Sequence, residues 1–249
     1  MFELTRRGRV AVLRMTHGKA NAFDLDFCRG LAAQVHACEQ SDAGALVITG
    51  QGRIFSAGVD LPRLVDGGAA YVHEFLSAMN HAFEALFALP KPLVAAVNGH
   101  AIAGGCVITC CADYRIMARE AGRIGIPELL VGVPFPAVPL EIVRFAVPPQ
   151  HVQTLIYRGL TLAADEALRY GLIDAVADPD RALDEAVAVA ESLAAVPFEA
   201  FHLTKRLLRE PALRQMRDGS VIDAVVRDAW AGEAVQNAVR GYIARTLKK

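Results

Sequence analysis

Two short glycine-bearing segments, Phe55-Ser56-Ala57-Gly58-Val59-Asp60-Leu61 and Asn98-Gly99-His100-Ala101-Ile102-Ala103-Gly104-Gly105-Cys106, can each present a bare backbone N–H to one negatively charged oxygen. Two such donors aimed at a single atom suit an enolate. A third segment, Gly125-Ile126-Pro127-Glu128-Leu129-Leu130, sets one carboxylate among apolar neighbours. Those neighbours disfavour the charged form and raise the carboxyl pKa toward the range useful for general acid–base work near neutral pH. Each segment also has an ordinary reading. The glycines can be tight turns of an α/β protein, and Glu128 a favourable acid in the first turn of a short helix after Pro127.

Both glycine segments follow apolar, β-branched runs, Ala45–Thr49 and residues 92–97, so each turn is predicted to leave the end of a buried strand and to reach a common pocket. Gly104 reads as a helix start, where unpaired N–H groups and the positive dipole end favour an anion. Around these runs the sequence predicts a strand over 9–15, an amphipathic helix over 25–39, and a helix over 71–89 opened by Gly67-Gly68 and ended by Pro90 and Pro92. A further strand is predicted near 113–117. From Pro136 onward helical patterns dominate, over 137–146, 150–158, 163–170, 181–195, 199–209 and 219–245 with a break near Gly232. The strand-like stretch 172–176 alone interrupts them. The fold class is therefore α/β followed by helices. No GxGxxG or GxxxxGK[ST] stands at a strand–helix junction, and Gly50-Gln51-Gly52 reads as a plain turn. There is no GxSxG elbow.

The paired glycine motifs, in this order and over nearly the whole chain, resemble the crotonase superfamily, the enoyl-CoA hydratase/isomerase family. The resemblance implies a spiral of ββα units over 1–195 and a helical trimerisation region over 196–249, assembling as a homotrimer or a dimer of trimers. It implies an acyl-CoA thioester as substrate, coenzyme A entering only as part of it, and no further cofactor. The N–H groups of Val59 and Gly104 would form the oxyanion hole. Lys19, Ala20, Asn21, Ala22 and Phe23 would lie along the CoA. Ser56, Ala57, Gly58, Asp60 and Leu61 would contact its adenine end and pantetheine. Tyr242 and Arg245, on the last helix, match positions that reach the adenosine phosphate, and arginine is chemically apt for a phosphate.

Hydratases of the family hold a water between two glutamates. By the same resemblance the first would fall at Val107, three residues after Gly104 and on the same helical face, and the second at Glu128. Valine can neither hold a water nor move a proton. One acid–base group suits a reaction in which a proton lifted from one carbon is returned to another, so the resemblance points to 3,2-enoyl-CoA isomerisation with Glu128 as the shuttle. The mitochondrial-type isomerases show a similar single glutamate followed by a Pro-Phe segment, here Val133-Pro134-Phe135-Pro136, and a stretch like Cys111-Ala112-Asp113-Tyr114-Arg115-Ile116. Two alternatives stay open: an enoyl-CoA hydratase or other crotonase reaction with one glutamate, and a non-catalytic acyl-CoA-binding protein. Asp60, His100 and Glu141 are read as structural.

Composition narrows the partners. Lys and Arg total 26 against 27 Asp and Glu in 249 residues, a net charge of -1, which gives no general attraction to nucleic acid or anionic membrane. With 53% hydrophobic residues but no uninterrupted membrane-length run, the apolar excess is expected in subunit contacts. The N-terminal residues enter strand-like sequence without a secretory h-region, so a cytoplasmic location is expected. Cys28, Cys38, Cys106, Cys110 and Cys111 are odd in number and suit neither a disulfide frame nor a zinc site, and the seven histidines show no metal-ligand spacing. No metal is expected.

Overall fold

The computed structural model describes residues 1–120 and 122–246. The chain opens with β1 (Phe2–Arg7), β2 (Val10–Met15), α1 (Leu25–Gln40), β3 (Ala45–Thr49), β4 (Ile54–Ser56) and α2 (Leu61–Ala88). It continues through β5 (Leu93–Val97), β6 (His100–Ile102), α3 (Gly104–Cys111), β7 (Tyr114–Ala118), β8 (Ile124–Gly125) and α4 (Glu128–Val131). The second half contains α5 (Ala137–Ala146), α6 (Pro149–Tyr157), β9 (Thr161–Leu162), α7 (Ala164–Arg169), β10 (Ala175–Ala177) and α8 (Ala182–Ala194). Three helices close it: α9 (Phe198–Asp218), α10 (Ser220–Ala231) and α11 (Glu233–Thr246).

The large sheet runs β1-β2-β3-β5-β7-β10, antiparallel only between β1 and β2. Its central strands β3 and β5 are buried at every residue, the pattern of a parallel sheet covered on both faces. Alternation divides them. Leu46, Ile48, Leu93, Ala95 and Val97 face the core formed with α1, α2 and α3, while Ala45, Val47, Val94 and Ala96 face α8. That helix meets the sheet through Ala182, Ala186, Ala190 and Ala194, a stripe of small side chains at helical spacing.

A second sheet of four short strands, β4-β6-β8-β9, positions the chemistry and was not expected from sequence. The glycine turns do not leave β3 and β5 directly; each long strand is followed by a loop and then by β4 or β6. Strands β4, β6 and β8 run parallel, so their C-terminal ends deliver Val59, Gly104 and Glu128 to one edge. The helix expected from Tyr71 begins instead at Leu61, because Asp60 caps it by accepting from Arg63 N–H at 3.0 Å and Pro62 suits its first turn. Gly68, at φ 71 and ψ -175, is a kink inside α2 and not its start. Helix α9 likewise passes through Pro211 to Asp218 where the sequence suggested a stop at 209.

A buried ion cluster fastens α9 to the sheet. Asp113 accepts from Lys205 Nζ and Arg209 Nη2, both at 2.6 Å, and from the Leu93 N–H at 2.8 Å. Burial lowers the Lys205 pKa to about 8, against the opposing pull of Asp113. All five cysteines are free and buried, and burial pushes the Cys28 thiol up to about 12. No single helix among the described residues is long and apolar enough to cross a membrane.

Candidate active site

The segment Ala20–Phe23 is strapped along the first glycine loop. Ala57 N–H donates to Ala20 O at 3.0 Å, Phe23 N–H to Gly58 O at 2.8 Å, and Asp60 N–H to Phe23 O at 3.0 Å. Asn21 and Ser56 lock the same strap from within: Asn21 Nδ2 donates to Phe55 O at 3.0 Å and Ser56 Oγ to Asn21 O at 2.7 Å. This pairing consumes the backbone groups on either side of Val59 and leaves its own N–H with no acceptor among the described residues. Gly104, the first residue of α3, is likewise without an intrahelical acceptor, and its N-cap Ala103 offers no capping side chain. Ala103 itself sits at φ 53 and ψ -122, an unusual backbone for a residue with a Cβ.

The two loops touch. A Cβ on Gly58, which has φ +80, would lie 2.7 Å from Ala103 Cβ and 3.1 Å from Gly104 N; one on Gly105 would lie 2.5 Å from Ser56 O. Glycine at 58 and 105 is therefore what lets the two free N–H groups approach one another. Preorganised donors of this kind stabilise a developing oxyanion without reorganising when the charge appears.

Beneath them opens a cavity of about 360 Å³, apolar over most of its wall. Ala20, Ala22, Ala57, Val59, Asp60, Leu61, Gly104, Val107, Glu128 and Tyr242 line it, ten of the residues singled out from sequence. Six others stand elsewhere: Asn21, Phe23, Ser56 and Gly58 are buried behind its wall, and Lys19 and Arg245 are exposed outside it. Tyr242 faces the same apolar chamber as Glu128 and does not share the exposed position of Arg245. Met79 and Phe83 of α2, Phe135 and Pro139, and Trp230 of α10 complete the chamber. Phe135 belongs to the Pro-Phe segment quoted from sequence; the others were not legible as site residues, because an apolar helix face looks the same whether it meets core or cavity. Asp60 doubles as the cap of α2, His100 Nδ1 accepts from Arg123 N–H at 3.2 Å, and Glu141 pairs with Arg144 at 2.9 Å outside the cavity.

Glu128 is the first residue of α4, delivered by the parallel strand β8 and Pro127. Although the residue as a whole is half-buried, its Oε2 is sealed from solvent and has no hydrogen-bond partner. Burial pushes its carboxyl up to about 8, opposed only by a hydrogen bond from its own backbone. The four-residue helix ends at Gly132, in the left-handed conformation at φ 94, where an added Cβ would stand 2.7 Å from Ala238 Cβ of α11. Close packing of α11 on this turn brings Tyr242, one helical turn beyond Ala238, to the chamber wall. Val107, from α3, presents an apolar side chain to the same space. The site thus offers two convergent N–H donors and one carboxyl with a pKa near working pH; Val107, where a second acid would stand on α3, is apolar, and the other carboxylate of the lining, Asp60, is held as the cap of α2.

Comparison with known proteins agrees with this chemistry. A family model described as "Enoyl-CoA hydratase/isomerase" matches residues 5–245. A putative enoyl-CoA hydratase of Thermus thermophilus is 34% identical over 210 residues, 82% of each chain. The crystal structure of a probable enoyl-CoA hydratase from Mycobacterium tuberculosis superposes with a TM-score of 0.83 at 31% identity, covering 99% of this chain and 98% of that one. Human mitochondrial delta3-delta2-enoyl-CoA isomerase superposes with a TM-score of 0.91 at 25% identity, covering 99% and 98%.

Proposed function

The chain belongs to the enoyl-CoA hydratase/isomerase family, the crotonase superfamily, and within that family of acyl-CoA enzymes we propose that it is a 3,2-enoyl-CoA isomerase. The observation that carries this reading is the pairing of one partnerless carboxyl, Glu128, with an apolar Val107 in the same chamber. The thioester carbonyl oxygen lies between the N–H groups of Val59 and Gly104. Glu128, as carboxylate, takes a proton from C2 of the 3-enoyl group; the electron pair spreads through C2–C3–C4 onto the carbonyl oxygen as a dienolate. The same carboxyl returns the proton to C4, and the double bond rests between C2 and C3. No water enters the balance.

A carboxyl at a pKa of about 8 suits both halves of the cycle. Its two protonation states lie close in free energy near neutral pH, so neither abstraction nor return is steeply uphill for it. The CoA body leaves the chamber past Ala20 and Ala22 and runs outward along the exposed Lys19, with Arg245 offered to a phosphate. Exposed apolar side chains on α9 and α10, Leu207, Leu208, Val221 and Val225 among them, support assembly with further copies as a homotrimer or a pair of trimers.

The hydratase names carried by several relatives favour a second reading, in which the same oxyanion hole serves water addition to a 2-enoyl-CoA. Incubation with a 3-enoyl-CoA and with crotonyl-CoA, side by side, separates the two. The isomerase reading expects double-bond migration to dominate. Hydration as fast as migration transfers the assignment to hydratase, and turnover of neither leaves another crotonase reaction or an acyl-CoA-binding protein.

A further inference from the structure

The lining of the chamber is exposed at some residues and sealed at others. Ala57 and Pro62 are exposed, whereas Phe83, Val107 and Trp230 are 1%, 1% and 2% exposed. Phe83 belongs to the central core, its ring 5.9 Å from that of Phe23. Trp230 packs into the same core from the last turn of α10 and is in addition tied to the chamber wall by hydrogen bonds. Its indole Nε1–H donates to Pro134 O at 2.8 Å, and its own carbonyl accepts from the buried Gln236 Nε2 at 2.8 Å. The other end of α10 is fastened as well. Asp223 Oδ1 accepts from Ala137 N–H at 2.6 Å, and its Oδ2 accepts from Asn80 Nδ2 at 3.2 Å, beside the chamber residue Met79. The helix is therefore fixed at both ends against the segment 134–137 that carries Phe135 and Pro136 of the wall.

From this arrangement we infer that Trp230 is the stop of the acyl pocket, so that the enzyme takes a short acyl chain whose ω-end abuts the indole ring. The inference rests on the acyl-CoA reading of the chamber and not on which reaction occurs there. A volume of about 360 Å³ is at the small end for a ligand site. The walls within reach of an ω-end are hydrocarbon, with the indole N–H already committed to Pro134, so the pocket selects an unsubstituted apolar tail.

Saturated acyl-CoAs, which cannot react, test this by calorimetric titration of the wild type across butyryl-, hexanoyl-, octanoyl-, decanoyl- and dodecanoyl-CoA. Each methylene buried in the pocket is worth roughly a fourfold gain in affinity, so affinity should climb with length and then break sharply to a plateau or decline. In Trp230→Leu the break should move out by about two carbons, leucine being smaller by about two water-sized volumes of about 30 Å³ each. Trp230→Phe, the milder change, should move it less while keeping butyryl-CoA affinity within a few-fold of wild type. An unchanged break in both variants overturns the role of Trp230. A wild type whose affinity rises without a break through dodecanoyl-CoA overturns the stop itself. Failure of every acyl-CoA to bind folded wild type removes the acyl-CoA reading, and the stop with it.

Discussion

Glu128→Gln removes the partnerless carboxyl of the chamber while keeping its shape, and the structure fixes two linked consequences. The side chain titrates at about 8 in the folded protein against an ordinary value of 4.5. Between those values folding takes up a proton, so the wild type carries a stability penalty that is absent below 4.5 and grows as pH rises toward 8. From pH 5 to pH 8, at about 1.36 kcal/mol per pH unit less the rounded ends of the window, the penalty deepens by about 3 kcal/mol. Glutamine has no proton to take up. The melting temperature of Glu128→Gln relative to wild type should therefore rise by about 6 to 12 °C between pH 5 and pH 8, at about 2 to 4 °C per kcal/mol for a chain of this size. All other titrating groups are shared and cancel in the difference. The same variant should lose at least about 100-fold in turnover, while wild-type kcat/KM should rise about tenfold per pH unit up to about pH 8 and then level off. A melting difference that stays constant across pH would refute the buried, partnerless carboxyl; normal turnover in a chemistry-limited assay would refute its role as base.

Gly58→Ala places a methyl 3.1 Å from Gly104 N and 2.7 Å from Ala103 Cβ, so it should displace an oxyanion donor and lower kcat by about 100-fold or more in a protein that still melts cooperatively. Val107→Glu should add measurable crotonyl-CoA hydration, read by loss of the enoyl absorbance, together with a lower melting temperature, since the new carboxylate enters an apolar wall. Asp113→Asn leaves Lys205 and Arg209 buried without their counter-charge and should cost about 3 to 5 kcal/mol in urea unfolding, the range for breaking a buried ion pair.

The site's polar chemistry was legible in the sequence because it rests on residue types with few alternatives: glycines that must yield to a neighbouring backbone, and a lone acid between Pro127 and two leucines. Its apolar walls were not. Met79 and Phe83 continue the buried face of α2, and nothing in a 3.6-residue period separates a side chain that meets a cavity from one that meets another side chain. The large sheet was equally readable from the β-branched runs at Ala45–Thr49 and Leu93–Val97, whereas the strands that aim the site, Ile54–Ser56, His100–Ile102 and Ile124–Gly125, are too short to show alternation. The start of α2 was hidden for a different reason. Gly67-Gly68 looks like punctuation, but the cap at Asp60 begins the helix earlier and the chain absorbs the glycines as a kink. Trp230 lies more than a hundred residues from Glu128, and its place on the chamber wall comes from α10 closing over the segment after α4.

The central claim is that one carboxyl both takes and returns the proton, and a C2-dideuterated 3-enoyl-CoA tests it most directly. With Glu128 Oε2 sealed from solvent, the deuteron it lifts should be delivered to C4 before it exchanges, so mass spectrometry of the 2-enoyl-CoA product at early conversion should find deuterium at C4. Product whose C4 carries only solvent hydrogen, with all of the abstracted label released to water, would contradict direct return of the proton by a carboxyl sealed from solvent.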